Sequence, residues 1–171
     1  GLSGIDGEAH WEFALWELVE EAQKRVESDI GTSVCRNVGW ESHIDRSSSD
    51  RVEGNPFVLI QAVANLLENA IQYSEDDNPV RVELPDQRSG NTKMVDFVIR
   101  NKCAIAAEHH ERIFQMGFST AGRRGTGLNV ARSMLREQGG KLELIDDGRN
   151  SGWVSFKVTL PTVSEGLGHA A

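Results

Sequence analysis

NLLENAIQYS, residues 65–74, carries two asparagines four residues apart, Asn65 and Asn69, in a run otherwise rich in Leu, Ala and Ile. Asparagine is a poor choice for a helix interior, because its side chain competes for nearby backbone groups. The surrounding pattern is nonetheless helical over 55–73, with Asn55 placed as N-cap and Pro56 as first helical residue. On a helical wheel, Gln61, Asn65, Glu68, Asn69 and Gln72 fall in one narrow polar arc. Leu59, Val63, Leu66, Leu67 and Ala70 fall opposite, with Ile60 and Ile71 on one flank. One face is therefore set for a core. The polar arc either meets solvent or presents amides to a ligand. Solvated helix faces favour Lys, Glu and Arg over Asn, and amide oxygens are hard, neutral ligands suited to Mg²⁺.

A second stretch bears on that choice. GFSTAGRRGTGLNVARSM, 117–134, places Gly122, Gly125 and Gly127 in a loop that runs into a helix. Glycines admit a ligand close to the backbone. The first turn of the helix then offers free N–H groups and a positive dipole end to an anion. Arg123 and Arg124 add charge. No Lys-Ser/Thr follows the glycines, so the loop is not a Walker A loop. It also follows a loop rather than a strand, unlike a dinucleotide-binding fingerprint.

Outward from these segments, residues 10–28 are predicted as a helix with one buried stripe, and short strand-like pieces occur at Ser33–Arg36 and Ser42–Asp45. PVRVEL (79–84) and MVDFVIR (94–100) alternate as strands joined by the polar turn DQRSGNT. A short helix is expected around Ala107–Phe114. A longer one over 127–138 stops at Gly139-Gly140, and strands at 141–146 and 152–160 close the fold, the last ended by Pro161. The order predicts a two-layer α/β sandwich: a mixed, mostly antiparallel sheet covered on one face by helices. Strict βαβ alternation is absent. One domain over 10–161 is expected, with 1–9 a linker or expression remnant and 162–171 a loose tail.

The chain has 171 residues and a net charge of −8, which argues against nucleic acid as main partner. No apolar run approaches the roughly 20 residues of a membrane helix, so no direct membrane contact is expected. Cys35 and Cys103 lack metal or disulfide-framework spacing and read as reduced thiols of a cytoplasmic protein. The five histidines form no metal cage with Cys or carboxylates at ligand spacing.

NLLENAIQYS resembles the N box of sensor histidine kinases, and RRGTGLNVARSMLREQGG resembles their G2 box with the helix after it. IFQMGFST, 113–120, is similar to their F box, and the close on KVTLP is similar to their final strand. The resemblance covers about residues 11–161 and implies the Bergerat ATP-binding fold of gyrases, certain chaperones and mismatch-repair ATPases. It implies ATP and Mg²⁺ as ligands, with Asn69 the main metal ligand and Asn65 its helper. Tyr73 would pack along the adenine or sugar. Gly125, Thr126, Gly127 and Leu128 would line the phosphates. Phe114 and Phe118 would anchor a lid that includes Ser119 and Thr120. Where the family often has Lys, this chain has Gln72, and Arg123 or Arg124 would supply that charge. Glu68, beside the asparagines, is either a catalytic carboxylate or a solvated one.

At the adenine end, with Ile105, the family's G1 box is Asp-x-Gly-x-Gly. Here NKCAIAAE follows the strand, so Asn101 stands in place of the Asp and Cys103 in place of a Gly, and the segment is one residue short. An Asn oxygen still accepts a hydrogen bond, without charge. Hydrolysing relatives carry Glu at the position of Asn65, where it activates water; an amide there suits transfer to an imidazole instead. The implied function is the catalytic domain of a histidine kinase. It would pass the γ-phosphoryl to a histidine on a separate dimerisation hairpin, and thence to a response regulator. The phosphoacceptor histidine is not expected in this chain, which should be monomeric: His10, His109 and His110 read as surface residues. The altered G1 segment leaves a second reading, a non-catalytic interaction module with weak or no nucleotide binding. A serine kinase of the anti-sigma type would have Glu at position 65.

Overall fold

Trp11–Ala14 forms a strand, β1, rather than the first turn of a helix. It pairs antiparallel with β3, Arg51–Gly54, in the register Trp11↔Gly54 and Phe13↔Val52. The spacing of Trp11, Phe13 and Ala14 fits both periods, and pairing with a distant strand decides for the extended one. The Leu15 N–H then donates to the Asp50 carbonyl at 2.9 Å, and helix α1 runs Leu15–Ile30. Its buried stripe is Leu15, Leu18, Val19, Ala22 and Val26, a helical spacing.

The computed structural model describes residues 11–31, 39–74, 78–88, 90–105, 107–109, 113 and 127–162. The 1–9 segment, the Ser33–Arg36 piece and the tail from 163 onward lie outside these. Strand β2 is Trp40–Ser42, earlier than the expected Ser42–Asp45. The Trp40 indole anchors it by donating to Glu27 Oε1 of α1 at 3.1 Å. Helix α2 is Pro56–Gln72, β4 is Val80–Glu83 and β5 is Met94–Lys102. A 3-10 turn, Ala107–His109, opens the stretch expected as a short helix, and the Ile113 N–H donates to the His109 carbonyl at 3.0 Å; the rest of that stretch lies outside the described residues. Helix α3 is Gly127–Glu137, β6 is Lys141–Asp147 and β7 is Trp153–Pro161.

Five strands form one sheet in the order β2-β4-β5-β7-β6. Among the described residues, only the β2–β4 pairing of this sheet is parallel. Alternation along the strands sorts the two faces. Val95, Phe97, Ile99, Val154, Phe156, Val158 and Leu160 are buried on the inner face, in register as Val95↔Leu160, Phe97↔Val158 and Ile99↔Phe156. The outer face carries charged pairs: Arg100 on Glu83 at 2.8 Å, and Arg81 on Glu41 at 3.0 Å with its guanidinium 4.3 Å from the Trp153 ring centroid. A sheet apolar on one side and charged on the other takes helices on one face only, giving the expected two-layer sandwich.

Helix α2 is the middle helix, packed against both α1 and α3. Asn55 Oδ1 accepts from the Phe57 N–H at 3.0 Å, as an N-cap should. The Asn55 N–H itself donates to Gln138 Oε1 at 2.7 Å, just beyond α3. A Cβ on Gly54 would lie 2.9 Å from that same oxygen. Gln138→Ala therefore orphans a half-buried N–H at the entry to α2. The expected cost is about 1–2 kcal/mol of stability, measured by urea unfolding. Helix α3 stops where the sequence marks it: Gly139 takes φ +79°, and the Gly140 N–H donates to the Leu135 carbonyl at 2.8 Å.

Candidate nucleotide site

The end of α3 meets the start of α2 through Gln138 and Asn55, and the start of α3 meets the middle of α2. A Cβ on Gly127 would lie 3.6 Å from the Asn65 carbonyl oxygen. The two helices thus run antiparallel, and the first turn of α3 opens beside Asn65. A helix start of this kind offers backbone N–H groups and a positive dipole end, and here it lies beside the turn of α2 that begins at Asn65.

The arc of α2 is less buried than the face opposite. Asn65, Glu68 and Asn69 are half-buried and Gln72 is exposed, whereas Leu59, Val63, Leu66, Leu67 and Ala70 are buried. Two hydrogen bonds order the arc. Gln61 Nε2 donates to Asn65 Oδ1 at 2.8 Å, and Gln72 Nε2 donates to Glu68 Oε1 at 3.3 Å. Both join residues one turn apart. Tyr73 closes the helix, its N–H donating to the Asn69 carbonyl at 3.2 Å. No residue of α2 is basic. The α3 N-terminus contributes positive potential beside Asn65, and a bound cation would add to it.

Asn101 lies on the inner face of β5, 4% exposed, opposite the buried Val154. A polar side chain so placed projects from the sheet to the helix side. The segment after it is held by the β6–β7 turn: the Cys103 N–H donates to the Gly152 carbonyl at 3.1 Å, and the Ile105 N–H to the Asp147 carbonyl at 2.7 Å. Cys103, Ile105 and Leu128 are partly buried against the core. Gly148, at φ +80°, is the closest approach, since a Cβ there would overlap the Cys103 carbonyl oxygen. Gly148→Ala adds backbone strain to that overlap. It is expected to cost about 1–3 kcal/mol and to displace Cys103–Ile105, visible as a lower thermal midpoint with amide shifts confined to that segment. Nothing local in the sequence around Gly148 points to Cys103. The contact joins a turn to a segment far earlier in the chain.

Phe114, Phe118, Ser119, Thr120, Arg123, Arg124, Gly125 and Thr126 lie outside the described residues. What the structure brings together is the amide arc of α2 and the Gly127–Leu128 start of α3. The donor set fits Mg²⁺ and phosphate: neutral amide oxygens for a hard cation, backbone N–H groups for an anion. Among the described residues no cluster of His, Cys, Asp and Glu could hold a metal by itself. No described helix is long and apolar enough to cross a membrane.

Residues 54–164 match the family of histidine kinase-, DNA gyrase B- and HSP90-like ATPases, and the chain belongs to that family. Its relatives are sensor kinases. It is 27% identical over 119 residues to the sensor protein VanS of Enterococcus faecium, a match covering 67% of this chain and 30% of that protein. It is 30% identical over 117 residues to the probable sensor protein PcoS of Escherichia coli, covering 64% and 24%. The chain thus spans less than a third of these relatives' length. Among solved structures, the catalytic domain of histidine kinase ThkA matches with a TM-score of 0.66 at 25% identity, covering 91% of this chain and 97% of that one. The mycobacterial sensor histidine kinase MprB shares the fold, with a TM-score of 0.69 at 20% identity over 90% and 97%.

Proposed function

We propose that this domain binds ATP with Mg²⁺ between α2 and the start of α3, and passes the γ-phosphoryl to a histidine outside the chain. That histidine would lie on the dimerisation hairpin of a parent sensor kinase, on the cytoplasmic side, and would relay the group to a response regulator. One observation carries the proposal: Gly127 rests on the Asn65 turn of α2, so the N-terminal end of α3, suited to an anion, starts beside the polar arc. Mg²⁺, when bound, offsets the charge of the phosphates. Asn69 would hold it through Oδ1, with Asn65 alongside. Asn101 would accept from the adenine amino group, and Ile105 and Tyr73 would flank the base and sugar.

Position 65 supports transfer over hydrolysis. An amide does not take a proton from water, so a bound nucleotide would wait for a better nucleophile, and a neutral imidazole is one. Incubating the domain with γ-labelled ATP and the parent's helical hairpin tests this. Base-stable, acid-labile label on the hairpin is the expected result; label released only as free phosphate contradicts it. The second reading, a binding module without catalysis, draws on Asn101 and Cys103 at the adenine end and predicts neither.

A further inference from the structure

Gln61 lies one turn before Asn65 on the same arc of α2. Two amides so spaced can be joined in either direction, and the direction decides what the second offers beyond the pair. Here Gln61 Nε2 donates to Asn65 Oδ1 at 2.8 Å. The bond engages the oxygen of Asn65 and turns its Nδ2, with two N–H donors, away from Gln61. Asn65 is also the residue whose backbone meets Gly127, so its position on α2 lies beside the start of α3. A phosphate at that place finds no cation on α2, whose one charged residue is Glu68. An amide oxygen turned toward the phosphate would repel it, whereas an amide N–H adds to the helix-end donors.

We propose that Gln61 is a positioning residue. It fixes the Asn65 amide with its donor outward, so that Asn65 hydrogen-bonds a phosphoryl oxygen and the cation falls to Asn69. This rests on the nucleotide-binding reading above and divides the work of the two asparagines, which their sequence pattern leaves shared.

The test titrates wild type, Gln61→Met and Gln61→Glu with the β,γ-imido analogue of ATP, in EDTA and with Mg²⁺, following the side-chain amide resonances of Asn65 in ¹⁵N-labelled protein. Gln61→Met removes the bond without adding charge and is expected to weaken metal-free binding about threefold to tenfold. In wild type the analogue shifts the Asn65 Nδ2 proton resonances in EDTA. Glu at position 61 only accepts, draws Nδ2 to itself and abolishes that shift. Bound analogue with no Asn65 shift in wild type overturns the proposal and leaves nucleotide binding standing. So does a shift unchanged in both variants. No binding by wild type in either condition removes the nucleotide reading, and this proposal with it.

Discussion

Asn69→Ala is expected to lose the magnesium-dependent part of nucleotide binding while the domain stays folded. Asn69 is half-buried on the polar arc, one turn beyond the residue that meets Gly127. An alanine there leaves no cavity in the core and is a better helix former than asparagine, by roughly half a kcal/mol. Stability should therefore hold or rise slightly. Metal affinity should fall about 100-fold or more, since changes even to groups that merely support a metal ligand cost about 10–100-fold. The two effects have opposite signs, so a calorimetric titration and a thermal melt on the same sample separate a site residue from a structural one. A variant that binds the magnesium complex like wild type would remove Asn69 from the metal site.

Phe97→Ala is the largest expected loss of stability. Phe97 is 0% exposed, sits on the central strand β5 opposite Val158, and is among the largest fully buried side chains. Truncating such a residue costs about 3–5 kcal/mol through lost transfer energy and the cavity left behind. That is a large part of the roughly 5–15 kcal/mol that holds an ordinary domain together, so the urea midpoint should drop steeply. A ligand held only by the folded state adds about 2.7 kcal/mol at a hundredfold excess over its dissociation constant. Saturating nucleotide with Mg²⁺ should therefore recover much of the loss in Phe97→Ala. A midpoint blind to nucleotide would mean that the folded variant no longer binds it.

The sequence carries those parts of the fold whose signals are local. Asn55-Pro56 marks the start of α2, Gly139-Gly140 marks the end of α3, and alternation places β4, β5 and β7. The parts it hides depend on distant partners. WEFA becomes strand β1 because Arg51–Gly54 pairs with it, and Trp40–Ser42 becomes β2 because β4 lies parallel beside it. At the candidate site, the polar arc of α2 is legible as a pattern, since five polar residues recur at helical spacing. The direction of the Gln61–Asn65 bond is not, because either amide can donate. The packing of Gly148 on Cys103 is equally hidden. It shapes the segment after β5 that is proposed to meet the adenine, where the chain departs most from the histidine-kinase pattern.

The central claim is that the α2 amides and the α3 N-terminus together hold a magnesium–nucleotide complex. Titrating the unmodified domain with a non-hydrolysable ATP analogue, with and without Mg²⁺, addresses it most directly. Saturable binding that tightens when Mg²⁺ is added is the expected result, despite Asn101 standing where the family's Asp would be. No binding at millimolar nucleotide in either condition would contradict it and leave a domain that keeps the kinase fold as an interaction module.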